Sequence, residues 1–111
     1  MDNVKNDLYF AKKAIEQIEV IEKYIDNVSY EEFLGDIELL DAIMFRLIQL
    51  IENIKNISEQ FKSKHRNIPW GNIIGFRNGI VHEYGETNYE IVYQTITNDL
   101  FSLKEVLLLV K

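Results

Sequence analysis

The sequence predicts an all-α antiparallel helical bundle that forms a single domain over residues 1–111. Apolar residues recur in steps of three and four through most of the chain, as they do on one face of an α-helix. No segment alternates apolar and polar residues in the way a strand does. With 111 residues and 47% apolar content, the chain has enough apolar surface for one modest core.

The first long helix is predicted from about Val4 to Asn27. Ser29 and Glu32 then have the spacing of a capping box, which leads into a short turn that Gly35 ends. The apolar stripe of this helix consists of Val4, Leu8, Ala11, Ile15, Ile18, Ile21, Ile25 and Val28.

A second long helix follows, and its pattern continues to about Lys62 or Lys64. Its apolar stripe is wide enough to be covered on two sides. The inner residues are Ile37, Leu40, Met44, Leu47, Ile51, Ile54 and Phe61, broadened by Ile43, Leu50 and Ile57.

A short third helix starts near Pro69 or Trp70, because proline suits the first turn of a helix and disrupts its middle. Gly85 reads as the C-cap that ends it. A long fourth helix follows, with an unbroken four-three apolar spacing typical of nearly parallel or antiparallel packing. Its stripe consists of Tyr89, Tyr93, Ile96, Leu100, Leu103, Leu107 and Val110.

Composition excludes several classes of protein. The chain has no run of 18 apolar residues and carries many charges in its first thirty positions, so we expect neither a membrane span nor a signal peptide, and a cytoplasmic location. The absence of cysteine removes disulfides, thiolate zinc sites and cysteine nucleophiles. With two histidines, a histidine-rich metal site is disfavoured, and we expect no metal or other cofactor.

The net charge of −6 is unevenly distributed. Residues 1–45 carry 4 Lys/Arg and 11 Asp/Glu, whereas residues 46–111 carry 8 and 7. Lys62, Lys64 and Arg66 precede the motif described next, and they are candidate RNA contacts on a locally positive surface. The alternative is a solvated helix end, where cations are stabilised by the helix dipole.

The residues best suited to chemistry form an Arg-x4-His-x-Tyr motif, made of Arg77, His82 and Tyr84. On a helix, Arg77 and Tyr84 fall within roughly 20° of the same face, and Asn78 lies one turn from His82. An arginine binds phosphate oxygens and a histidine transfers a proton near neutral pH. The alternative for His82 is a residue stabilised by the dipole at the end of a helix.

This pair of groups suits RNA cleavage, in which the ribose 2′-hydroxyl is the nucleophile. The reaction needs a base, an acid and stabilisation of charge on phosphorus. One histidine does not easily act as base and acid in one step, so a symmetric dimer that brings two copies of His82 and Arg77 together is favoured.

Gly71, Gly75 and Gly79 recur every four residues on the same helix. Each weakens the helix by about 1 kcal/mol relative to Ala, so the spacing indicates a contact that requires small residues. That contact lies either inside the bundle or across a dimer interface.

The second half of the chain resembles the HepT family of HEPN-domain toxins. The resemblance covers most of residues 40–108 and is looser in the second helix, where the family tends to have an aliphatic run, a small residue and a glutamate. The segments that carry it are Ile68-Pro69-Trp70, Ile73-Ile74-Gly75-Phe76-Arg77-Asn78, Ile80-Val81-His82-Glu83-Tyr84, Tyr89-Glu90-Ile91-Val92-Tyr93 and Asn98-Asp99-Leu100.

The resemblance implies a HEPN-type bundle that acts as a homodimeric, metal-independent endoribonuclease toxin. It implies catalytic roles for Arg77, Asn78 and His82. It also implies a type VII toxin–antitoxin partnership with a minimal nucleotidyltransferase, which transfers AMP from ATP to the tyrosine that corresponds to Tyr84.

Two residues depart from the family pattern. Gly79 stands where many relatives have a basic residue, which removes a phosphate contact, and Ile51 stands where a small residue is usual before Glu52. Three functions therefore stay open: an RNA-cleaving toxin, a non-catalytic nucleotide- or RNA-binding module that engages a nucleotidyltransferase, and a helical adaptor that binds proteins through its acidic first half.

Overall fold

A computed structural model of the chain describes residues 3–82 and 87–111, with side chains described for 6–76 and 87–111. The regular secondary structure of these residues is entirely α-helical, so the predicted all-α bundle is confirmed for the described part of the chain. The elements are α1 (Asn3–Ile25), α2 (Tyr30–Gly35), α3 (Ile37–Lys55), α4 (Glu59–Ser63), α5 (Trp70–His82), α6 (Tyr89–Asn98) and α7 (Leu100–Leu107).

The connection between the first two long helices contains one more helix than predicted. Asn27 ends α1 in the left-handed conformation with φ 58°, which asparagine tolerates. The predicted capping box is present, because the Glu32 amide donates to Ser29 Oγ at 3.1 Å and the Ser29 amide donates to Glu32 Oε1 at 3.0 Å. The capped segment is the six-residue helix α2 rather than a turn, and the buried ring of Phe33 fixes it to the core.

The second long helix is shorter than predicted. It ends at Lys55, and the separate helix α4 begins at Glu59, so the prediction of one helix to Lys62 or Lys64 is wrong. Ser58 caps α4, and Asp7 of α1 accepts hydrogen bonds from the Ser58 amide at 2.8 Å and from its hydroxyl at 2.6 Å. These long-range bonds hold the chain in a non-helical conformation at the junction.

The assignment of Ile37 to the inner stripe is also wrong. Ile37 is the first residue of α3, and it is 71% exposed, whereas the stripe from Leu40 to Ile54 is buried. The helix is covered only after its first turn.

The last helix is interrupted, so the prediction of one long fourth helix is also wrong. Asp99 separates α6 from α7, and α7 ends at Leu107. Thr97 donates through its hydroxyl to the Tyr93 carbonyl at 2.7 Å, and Asn98 and Asp99 favour non-helical hydrogen bonding. The apolar spacing nevertheless continues across the break, because Ile96, Leu100 and Leu103 are all buried.

The core lies between α1 and α3, which pack against each other along their lengths. Helix α5 covers another side of α3, while α6 and α7 pack on α1. None of the helices in the described ranges is long and apolar enough to cross a membrane.

Candidate functional site

Helix α5 carries Arg77 and His82 of the motif, and aromatic contacts fix the start of the helix. Trp70 is buried and donates through its indole nitrogen to the His65 carbonyl at 2.9 Å. The ring centroid of Phe61 lies 6.4 Å from that of Trp70 and 4.6 Å from that of His65. Trp70 and Ile73 turn one side of α5 into the core, so its opposite side is available to solvent or a partner.

The exposed side of α5 carries glycines at two positions one turn apart. Gly71 and Gly75 are both exposed, and a Cβ atom added at either would meet nothing within 4 Å. A close approach by the described part of the bundle therefore does not explain these two glycines. The other predicted contact, across a dimer interface, stays a prediction.

The predicted catalytic residues lie in the second half of this helix. Arg77, Asn78 and His82 fall within α5, so the helical spacing assumed for them holds as far as His82. By helical register, positions 78 and 82 continue the line of positions 71 and 75. The side chains of residues 77–82, together with Tyr84 and the predicted C-cap Gly85, lie outside the described residues.

The three candidate RNA contacts divide between two depressions. Lys62 and Arg66 line a depression of about 340 Å³ beside the first turns of α5. Lys64 instead lines a depression of about 280 Å³ that also contains Asp7 and His65. Lys64 and Arg66 are exposed, whereas the side chain of Lys62 is only 5% exposed. Sequence reasoning treated the three cations as one surface and missed this division.

Two further features surround α5. An open groove of about 370 Å³ separates it from α6, with Phe76 and Ile91 among the lining residues. On the α3 side, Glu52 is half-buried and its Oε1 atom is fully enclosed. Within the described ranges, the His, Asp and Glu side chains form no group of three that could hold a metal ion.

A family model described as Ribonuclease HepT-like matches residues 14–110. The chain belongs to the HepT-like ribonuclease family. The match includes α3, α5, α6 and α7, and it confirms the predicted resemblance to the HepT family.

Three curated relatives of this HepT-like chain are similar over more than four fifths of their length. "Probable ribonuclease HepT" of Thermococcus cleftensis is 33% identical over 95 residues, which cover 86% of each chain. "Putative RNase TTE0752" of Caldanaerobacter subterraneus subsp. tengcongensis is 29% identical over 96 residues, again 86% of each chain. "Putative RNase MJ0127" of Methanocaldococcus jannaschii is 27% identical over 102 residues, which cover 88% of this chain and 84% of the relative. No solved structure matches the chain significantly.

Proposed function

We propose that this HepT-like protein is a metal-independent endoribonuclease that acts on cytoplasmic RNA as the toxin of a type VII toxin–antitoxin system. One observation carries the proposal: the complete set Arg77, Asn78 and His82 occurs on α5 within the region that the ribonuclease family model matches. We also propose that residues 1–111 form a single domain.

The proposed reaction is an attack of the ribose 2′-oxygen on the adjacent phosphorus. His82 of one protomer removes the 2′-hydroxyl proton, and His82 of the second protomer protonates the departing 5′-oxygen. The products are a 2′,3′-cyclic phosphate and a 5′-hydroxyl. Arg77 stabilises the negative charge that develops on the phosphate oxygens, and Asn78, one turn from His82, orients the imidazole.

The proposal requires a homodimer in which the two α5 helices approach each other. The open surface at Gly75, which is nearer to His82 along α5 than Gly71 is, supports this arrangement, because a facing helix could come close there without a clash. Helix α3, against which α5 packs, also exposes two large apolar side chains, Ile37 at 71% and Phe45 at 56%. Burial of this apolar surface would stabilise the association of two copies.

Regulation is proposed to occur at Tyr84. A nucleotidyltransferase antitoxin transfers AMP to its hydroxyl, and pyrophosphate leaves from ATP. The added phosphodiester carries a negative charge close in sequence to Arg77, so it neutralises the phosphate-binding cation and blocks the RNA path. The fold is retained, and cleavage stops.

The decisive experiment is RNA cleavage by the purified protein in the presence of EDTA. We expect His82→Ala and Arg77→Ala each to reduce the rate by about a hundredfold or more. Cleavage that persists in both variants, or that needs added magnesium, contradicts the proposal.

A mixing experiment tests the composite site directly. Wild-type and His82→Ala protein are co-assembled in different proportions. If each site uses His82 from both protomers, dimers with one copy of each are inactive, and the total activity falls as the square of the wild-type fraction. A linear fall would show that each protomer cleaves RNA by itself.

The second candidate is a non-catalytic nucleotide- or RNA-binding module that engages a nucleotidyltransferase. Gly79 in place of a basic residue and the net charge of −6 favour it, because both weaken phosphate binding. Binding of RNA without cleavage, unchanged by His82→Ala, would identify this function.

A further inference from the structure

The depression beside the first turns of α5 brings together two cations and a hydroxyl. Lys62, Ser63 and Arg66 line it from α4 and the connector, and Gly71 and Ile74 line it from α5. Glu59 is the acidic residue at its edge. Lys62 belongs to α4 and Arg66 to the turn after it, and both line this depression.

Lys62 is an unusual cation for a surface depression, because its side chain is only 5% exposed. Lysine is almost never buried to this extent unless it is paired. The described counter-ion is Glu59, whose Oε1 lies 3.8 Å from Lys62 Nζ, which is too long for a hydrogen bond. Glu59 is itself 93% exposed, so water screens this pair. Lys62 therefore has no hydrogen-bonded counter-ion among the described residues, and its ammonium group can pair with a second anion.

The backbone at the same place is also suited to an anion. Pro69 precedes α5 and has no side-chain oxygen that could cap it. Among the described residues, no acceptor is bonded to the amides of Gly71 and Asn72. Unpaired amides at the start of a helix favour phosphate oxygens. At Gly71 the surface is open, so a phosphate would meet no Cβ atom.

We infer that this depression is a phosphate subsite for the RNA strand, separate from the cleavage site. Arg66 supplies a forked pair of donors to the phosphate oxygens, and Lys62 supplies a fixed positive charge below them. This inference rests on the proposed ribonuclease function and adds the path that the strand follows. Gly71 and His82 are eleven residues apart, a helical distance of about 16 Å, so a few nucleotides separate this phosphate from the bond that is cleaved.

The division of the cations provides a matched control. Lys64 lies between Lys62 and Arg66 in sequence, but it lines the other depression, beside the buried carboxylate of Asp7. Replacing Lys64 removes the same charge from the same connector. A general effect of net charge would affect both positions equally, whereas a phosphate subsite distinguishes Arg66 from Lys64.

The test is binding of fluorescein-labelled single-stranded RNA of randomised sequence to cleavage-inactive His82→Ala protein, followed by anisotropy at several salt concentrations. Adding Arg66→Gln should weaken binding about tenfold, as expected for the loss of a hydrogen bond between charged groups. It should also reduce the slope of log affinity against log salt by about 0.7, the value for one phosphate contact on a single strand. Adding Lys64→Gln instead should leave the slope nearly unchanged.

Oligonucleotide length gives a second readout. The effect of Arg66→Gln should appear only with RNA long enough to span from the motif to the start of α5, and Lys62→Met should reproduce it in protein whose circular dichroism is unchanged. Equal effects of Arg66→Gln and Lys64→Gln, or no RNA binding by the His82→Ala protein, would overturn the subsite. Failure of wild-type protein to cleave RNA would overturn the proposed function and leave the binding result standing.

Discussion

Gly75 offers a test of both the helix and the surface that α5 presents. It lies inside α5, and apart from the neighbouring backbone of the helix itself no described heavy atom lies within 4 Å of the place of an added Cβ. Glycine in a helix interior costs about 1 kcal/mol relative to alanine, and no clash offsets the gain at this position. We therefore expect Gly75→Ala to raise the free energy of unfolding by about 1 kcal/mol and the Tm by about 4 °C for a chain of this size.

The measurement is thermal and urea unfolding over a series of protein concentrations, because association of two copies also changes the apparent stability. Gly35→Ala is the control: Gly35 has equally open surroundings, but it is the last residue of α2, where helix propensity matters less. An unchanged or lower stability of dilute Gly75→Ala protein would refute the open environment described for this residue.

A larger side chain at position 75 distinguishes an effect on the fold of the monomer from an effect on dimerisation. Gly75→Leu should leave the helical circular dichroism spectrum intact, because the space around the residue is open. If a second copy packs on α5, the leucine should prevent dimerisation in sedimentation experiments and abolish RNA cleavage, whereas Gly35→Leu should retain both. A Gly75→Leu protein that remains dimeric and active would refute the proposed contact through α5.

Three further changes test the fold and its regulation. Asp7→Ala should destabilise the protein by about 3 kcal/mol in urea unfolding, because a carboxylate that is 7% exposed accepts two bonds from Ser58; a loss no larger than that of exposed Asp26→Ala would contradict this. The amide of Ser29 donates to Glu32 and lowers the pKa of that carboxyl. The ionised Glu32 side chain therefore contributes to the stability of the fold above the ordinary pKa of glutamate, and this contribution is lost as pH falls through the lowered value. Glu32→Gln should therefore flatten this part of the acid unfolding profile, and an unchanged profile would count against the pKa shift. Tyr84→Phe should abolish the mass addition of AMP by a cognate nucleotidyltransferase with ATP, and equal modification of the variant would exclude Tyr84 as the acceptor.

Local sequence signals determined much of the fold, because the interactions behind them join residues within one or two turns. The two hydrogen bonds of the capping box join Ser29 to Glu32, three residues away, and Pro69 marks the start of α5, which begins at the next residue. The periodic apolar stripes of α1 and α3 depend only on helical geometry and burial. The helical positions of Arg77 and His82 follow from the same local rules, although their chemical roles stay predictions.

The helix boundaries that the sequence predicted wrongly lie where residues distant in sequence, or burial in the folded chain, determine the backbone conformation. The junction between α3 and α4 is held by bonds from Ser58 to Asp7, which is 51 residues away in sequence. Apolar spacing continues through Ile57 and Phe61, so periodicity alone does not detect this break. At Asp99 the stripe likewise continues across the interruption, because burial is satisfied on both sides of it.

The surroundings of the candidate site likewise depended on tertiary structure. The sequence placed Lys62, Lys64 and Arg66 in one short basic segment, since charge is read from residue type alone. Which of these cations share a depression, and how far Lys62 is buried, depend on how α4 and α5 pack against the rest of the bundle. The openness of Gly71 and Gly75 is decided in the same way, because solvent exposure is a property of the packed helices and not of the glycines themselves.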